Sequence, residues 1–200
     1  MPTLHWIGKD KIVNHHQEVP FRILERQYTF KDRKQEAAGR SENKIIYGDN
    51  LKALKSLLPE YEGRIECIYI DPPYNTGNEG WAYNDNVSHP KLKKWLGEVV
   101  GKDGEDLSRH DKWLCMMYPR IKLLHKLLAP TGKILISIDD NEHANLVQLC
   151  NEIFGLNNHV TSAVWEKSKR GDAKLISVSH EYQVVYTKNK SAAINQKIWR

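Results

Sequence analysis

Two hundred residues carry 30 basic and 25 acidic side chains, a formal net charge of +5. A chain of this size buries roughly 70% of its unfolded surface without disulfide staples. Its mild basic excess admits a polyanionic partner without requiring one, and no apolar run approaches the ~20 residues that cross a bilayer.

The start, MPTLHWIGKDKIV, has no apolar stretch of the kind that marks a signal peptide, so the expected location is the cytoplasm. Cys67, Cys115 and Cys150 are far apart and form no CxxC pair; they read as reduced, buried thiols. Residues 1–43 are polar and irregular, with clusters such as KDRKQEAAGR, and read as an N-terminal arm with little core of its own. His15 and His16 in that arm have no further ligands at useful spacing, so a solvated arm is expected there rather than a metal site.

Order is expected to begin at NKIIYGDN. Lys44–Tyr47 reads as a short strand, Gly48 turns the chain, and Asp49 or Asn50 caps a helix that lines up Leu51, Leu54, Leu57 and Leu58 on one face. Pro59 and Gly63 end it. RIECIYI follows as a strand with few charges, as expected of one covered on both faces. DKWLCMMYPRIKLLHKLL is helical, kinked or broken near Pro119, with Met116 and Met117 in the core. APTG turns the chain and KILISID is the next strand. DNEHANLVQLCNEIF is a helix opened by Asp139 or Asp140 and closed by Gly155. HVTSAVWEK and YQVVYTK read as two strands antiparallel to each other, with KSKRGDAKLISVS looping between them. Alternating strands and helices predict an α/β fold: an open, mostly parallel sheet flanked by helices, occupying residues 44–200.

In such a sheet, ligands sit beyond the carboxyl ends of the strands. Asp49, Asp71 and the Asp139–Asp140 pair all fall at expected strand ends. Helix capping accounts well for Asp49 and Asp140. Asp71 differs, because Pro72 and Pro73 follow it and neither can donate a backbone hydrogen bond. Pro72 also holds Asp71 in extended geometry. The result is a stiff lip with a carboxylate, a ring-fixed carbonyl and, at Tyr74, a flat aromatic face. Two acceptors beside an aromatic plate suit a planar ring bearing an amino group, which is the shape of an extruded nucleobase.

The motif Asp71-Pro72-Pro73-Tyr74, within IYGDNLKALKSLL, IYIDPPYNTGNEGWAYND, GKILISIDDNE and HEYQVVY, resembles the modification (Mod) subunits of Type III restriction–modification systems, which are adenine-specific DNA methyltransferases. The resemblance runs from about residue 44 to 189. It implies a Rossmann-like methyltransferase sheet and S-adenosylmethionine as methyl donor, with no metal. Asp71, Pro72, Pro73 and Tyr74 would be catalytic: Asp71 and the Pro72 carbonyl accept hydrogen bonds from the adenine N6 amino group, and Tyr74 stacks on the base. Asp49, Asn50 and Asp71 would contact the cofactor. The family also implies DNA as substrate, two modification subunits paired, and a restriction (Res) subunit as partner.

A complete enzyme of that kind carries a glycine-rich F-x-G-x-G loop and a target-recognition region; neither is found in this sequence. The expectation is the catalytic part of a methyltransferase domain, weakly active or inactive by itself. An N4-cytosine methyltransferase is a possibility within the same chemistry. A fragment that only binds nucleic acid or a partner subunit is the competing class. Tyr74, Lys91, Lys93, Lys94, Lys167, Lys169 and Arg170 are the candidate DNA contacts, with Trp81, Tyr83 or Trp95 available to fill the gap left by a flipped base. For Lys91, Lys93 and Lys94 a solvated helix face beside a buried Trp95 is the stronger expectation. His180 and Glu181 are left without a role.

Overall fold

The structure is a computed structural model and describes residues 3–31, 34–36, 43–76, 90–100, 108–167 and 178–195. Its centre is a four-stranded sheet of β3 (Ile65–Ile70), β4 (Leu128–Ile138), β6 (His180–Thr187) and β5 (His159–Glu166), in that spatial order. A separate small hairpin joins β1 (Thr29–Lys31) and β2 (Lys34–Glu36). In the main sheet β3 and β4 run parallel, with Ile70 opposite Ile136. β6 is antiparallel to both β4 and β5. The expected α/β layering and the antiparallel β5–β6 pair are therefore present, and the parallel order is confined to β3–β4, the strands beside the lip.

The helices are α1 (Lys9–Ile12), α2 (His15–Glu18), α3 (Asn50–Tyr61), α4 (Pro90–Val99), α5 (Arg109–Leu127), α6 (His143–Phe154) and α7 (Lys190–Asn195). α5 is the hub. It opens on a capping box, in which Ser108 Oγ accepts from Asp111 N at 3.2 Å and Asp111 Oδ2 accepts from Ser108 N at 2.9 Å. It runs unbroken through Pro119, because the surrounding core holds the helix where the missing N–H alone would break it. Trp113, Met117 and Ile121 of α5 bury against Ile134, Ile136 and Ile138 of β4, Leu146 of α6 and Val184 of β6. Each fully buried aliphatic side chain is worth about 1.5–3 kcal/mol. On its other side α5 packs Leu123 and Leu127 against Leu51 and Leu58 of α3, which is the leucine face read from the sequence.

Several expectations are corrected. Residues 44–47 form no strand: Ile45 is 97% and Tyr47 102% exposed, and a strand needs a neighbour for its hydrogen bonds. The N-terminal segment is not a loose arm. Ile12 is buried in the main core and Val19 in the cluster between α3 and α5, Trp6 Nε1 donates to Cys115 Sγ at 3.3 Å, and Lys9 pairs with Glu152 at 2.7 Å. His16 is buried and His15 lies edge-on to Trp95, so these histidines are packed rather than solvated. β3 is covered on one face only. Ile68 and Ile70 meet the core, whereas Cys67 is exposed and Tyr69 is 61% exposed on the other face. On that open face Tyr69 Oη and Ser137 Oγ lie 2.7 Å apart, and Gln183 Nε2 donates to Ser137 Oγ at 2.8 Å. APTG is not a turn but the bulged start of β4, where the register slips between the Ile65 and Cys67 pairings.

Asp139 and Asp140 do not cap α6, whose cap position is Glu142. Asp139 instead accepts from Asn141 N at 2.9 Å, folding the short turn that precedes the helix. Gly155 closes α6 as expected, at φ 87°.

Candidate active site

β3 ends at Ile70, so Asp71 stands beyond the carboxyl end of the strand, and its side chain is exposed. Pro72, Pro73 and Tyr74 are half-buried behind it and Asn75 is buried. The lip therefore has an exposed acidic edge and an anchored root. Two anchors hold the root from below. Trp113 of α5 is fully buried and its Nε1 donates to the Pro73 carbonyl at 2.7 Å. Of the two proline carbonyls, Pro73's is thus committed to the scaffold.

The second anchor is Glu142, which is 0% exposed. Asn75 Nδ2 donates to Glu142 Oε1 and also to the Arg109 carbonyl, the latter at 3.3 Å. His110 Nδ1 lies 2.7 Å from Glu142 Oε1, and Asn145 Nδ2 donates to Oε2 at 2.8 Å. This cluster holds Asn75 at φ 59°, the left-handed region that asparagine tolerates better than most residues. The chain can turn sharply after Tyr74 because Glu142 fixes the residue that makes the turn.

Tyr74 is held from a third direction. β6 is antiparallel to β4, so its first residues lie at the same rim as the last residues of β4; Tyr182 is opposite Ile138. From there Glu181, a buried residue, accepts from Tyr74 Oη at 3.1 Å. Lys167, just past the end of β5, forms an ion pair with Glu181, and its Nζ lies 5.5 Å from the centre of the Tyr74 ring. Burial, followed by the Asp71 and Glu181 carboxylates, pushes the Tyr74 hydroxyl well above its usual range, so it stays a neutral donor. On the neighbouring positions of β6, Tyr182 Oη donates to Asp140 Oδ1 at 2.9 Å while His180 Nε2 is 3.0 Å from Tyr182 Oη. His143 stacks on Tyr182 with ring centres 4.0 Å apart. The HEY triplet thus grips two separate parts of the rim.

The other sequence candidates divide. Asp49 caps α3, accepting from Lys52 N at 3.0 Å, as the capping expectation had it. Asn50 Oδ1 accepts from Arg120 Nε at 2.8 Å. Burial lowers Arg120 to about 10, and the neighbouring Asp49 carboxylate works against that fall. These contacts tie Asp49 and Asn50 to α5. Lys94 is solvated and stands 3.9 Å from Glu98, one turn along α4, while Trp95 is half-buried and donates from Nε1 to His15 Nε2 at 3.2 Å. That is the solvated-face arrangement. The side chains of Lys91 and Lys93 lie outside the described part of the chain, as do Trp81, Tyr83, Lys169 and Arg170. Glu142 and Trp113 were missed from sequence. Glu142 sits in an acidic run that reads as helix capping, and Trp113 sits in an apolar helix where an aromatic ring needs no special reason.

The family model described as DNA methylase matches residues 65–200, a span that takes in β3, the lip, Glu142 and all of β6. The chain belongs to that DNA methylase family. Among curated relatives, the Type III restriction-modification enzyme EcoP15I Mod subunit of Escherichia coli is 37% identical over 97% of this chain and 31% of its own length. The StyLTI Mod subunit of Salmonella typhimurium is 40% identical over 77% of this chain and 25% of its own. The Type II methyltransferase M.KpnI of Klebsiella pneumoniae is 38% identical over 76% of this chain and 34% of its own. The chain thus spans about a third or less of the length of these DNA methylase relatives.

Proposed function

We propose that this chain forms the catalytic part of a DNA methyltransferase that transfers a methyl group from S-adenosylmethionine to the N6 amino group of adenine, as part of a restriction–modification modification subunit. The observation that carries the reading is the lip itself: an exposed Asp71 carboxylate at the end of a parallel strand, with Tyr74 fixed immediately behind it. The Mod subunits among the relatives support the assignment to a Type III system; a restriction subunit and a second modification subunit as partners, and action in the cytoplasm, belong to the same proposal.

The chemistry asks little more of the protein than placement. An adenine amino nitrogen is a weak nucleophile because its lone pair is delocalised into the ring. Asp71 accepts one N–H, and the Pro72 carbonyl accepts the other, since the neighbouring Pro73 carbonyl is taken by Trp113. Holding both hydrogens out of the ring plane returns the lone pair to the nitrogen. As the new N–C bond forms, positive charge grows on the nitrogen, and the fixed carboxylate stabilises it. The amino proton then leaves to solvent past Asp71. Tyr74 stacks on the base, worth roughly 1–3 kcal/mol, against the few kcal/mol needed to unstack it from the duplex.

S-adenosylmethionine, when bound, supplies an electrophilic methyl on a cationic sulfur. The residues fit a cation, because Asp71 and Asp140 present exposed carboxylates at the ends of β3 and β4, and Asp49, at the start of α3, is exposed as well. Asp71 would face the sulfonium end; Asp49 and Asn50 would serve the adenosine end, beside their present contacts with α5.

The test is nucleoside mass spectrometry of unmethylated DNA incubated with the donor and the chain, expressed together with any sequence that adjoins it in its gene. N6-methyladenine is expected, and Asp71→Ala should abolish it while DNA binding persists. N4-methylcytosine in its place would overturn the adenine assignment, and full activity of Asp71→Ala would overturn the role of the lip.

A further inference from the structure

We infer that Glu181 is the positioning residue that sets the plane of the Tyr74 ring, with Lys167 as its charge partner. The inference rests on the reading of Tyr74 as the plate on which the target base stacks.

Tyr74 lies on a loop, and two torsions separate its ring from the backbone. Pro72 and Pro73 stiffen the main chain but leave those torsions free. A ring held only at Cβ can swing, and a base stacked on it would swing too. The Tyr74 hydroxyl, 3.1 Å from Glu181 Oε2, pins the far end of the ring. Glu181 can serve as a fixed point because it belongs to β6, which is hydrogen-bonded on both edges, to β4 and to β5. Glu181 itself is paired with Trp165 of β5, and the next residue, Tyr182, is paired with both β5 and β4, so orientation is passed from the sheet to the loop.

Fold stability does not call for this arrangement. A hydroxyl at an open rim can be satisfied by water. A nearly buried carboxylate is costly unless paired, and replacing such ion pairs by apolar groups is often neutral or stabilising. Glu181 is nonetheless buried, with Lys167 paired to it and standing off the Tyr74 ring. The cluster joins one residue from each of three segments (the lip, the end of β5 and the start of β6) at a single aromatic ring.

The experiment has two readouts. In the chain labelled with ¹³Cζ-tyrosine, the Tyr74 resonance, assigned by its loss in Tyr74→Phe, should move in Glu181→Ala and stay near its native position in Glu181→Gln, whose amide oxygen still accepts. This readout needs no activity. In the methylation assay, Glu181→Ala and Tyr74→Phe should each lower kcat about tenfold with little change in KM for DNA, as expected when alignment is lost and uniform binding is not. The double variant should be no worse than either single one, because both remove one interaction. Glu181→Gln should recover most of the rate. Losses that multiply in the double variant, or a Gln variant as slow as Ala, would overturn the inference. A resonance shift in Glu181→Ala with an unchanged kcat would also overturn it, leaving a tether without a catalytic purpose. Failure of the underlying reading looks different: Tyr74→Ala would then methylate at the native rate.

Discussion

Replacing Glu142 by leucine should lower the thermal midpoint by roughly 6–12 °C, and the size of that loss follows from what the carboxylate holds. The side chain is wholly buried and receives three donors: the amides of Asn75 and Asn145 and the His110 ring. Leucine fills most of the volume but accepts nothing. Asn75 is itself buried, so its orphaned amide costs about 1–3 kcal/mol. Asn145 and His110 are nearer solvent and can turn to water, costing about 0.5–1 kcal/mol each. The sum runs from about 2 to 5 kcal/mol, and a loss of about 3 kcal/mol, at 2–4 °C per kcal/mol for a chain of this size, gives the range above. Glu142→Gln should fall between, since its oxygen serves one side while its NH₂ faces another donor. Melting curves followed by circular dichroism, with the two variants beside the native chain, give the comparison. A shift below about 2 °C for Glu142→Leu would mean that the lip holds its shape without this anchor, and the account of Asn75 would be wrong.

Gly132→Ala should destabilise by about 1–3 kcal/mol in urea unfolding, since its new Cβ would lie 2.6 Å from the Ile65 carbonyl oxygen, and backbone cannot step aside cheaply. His125 is held down to about 4 by burial, with Lys188 and Lys122 adding to the effect. Its folded value lies below its unfolded one, so the stability linked to its neutral form is present above pH 6.5 and lost as pH falls toward 4. His125→Leu should flatten the fall in melting temperature across that window; an unchanged slope would refute the assignment. Cys67 is exposed, whereas burial pushes the Cys115 thiol up to about 11 and Cys150 higher still. A thiol reagent should therefore label Cys67 in the native chain and all three cysteines after unfolding. Labelling of Cys150 before unfolding would contradict the packing of α6 against the sheet.

The lip was legible because its signal is local. A charge-poor strand ending in an acid and two prolines fixes its own geometry, and no distant residue is needed to see it. The leucine face of α3 and the burial of Met116 and Met117 were legible for the same reason. What holds the lip was not. Glu142, Trp113 and Glu181 act 67, 40 and 107 residues away from their partners, and nothing in DDNE or HEY says which loop they will meet. Local rules also misled in two places. KIIYGDN has the composition of a strand, but a strand exists only by pairing, and composition does not supply the neighbour. Asp139 and Asp140 have the chemistry of helix caps, yet the turn they form and the Tyr182 hydroxyl claim them first. The N-terminal segment looked coreless because Ile12 and Val19 are isolated among polar residues; each fills a space that α3, α4 and α5 leave open.

The inversion of β6 has an evolutionary corollary. β5 ends at Glu166 and β6 begins at His180, both at the edge that carries Asp71. Insertions or deletions between those two residues would change the length of chain joined to that edge and leave every rung of the sheet in register. Homologues that act on different DNA should accordingly diverge in length there sooner than at any connection on the opposite side.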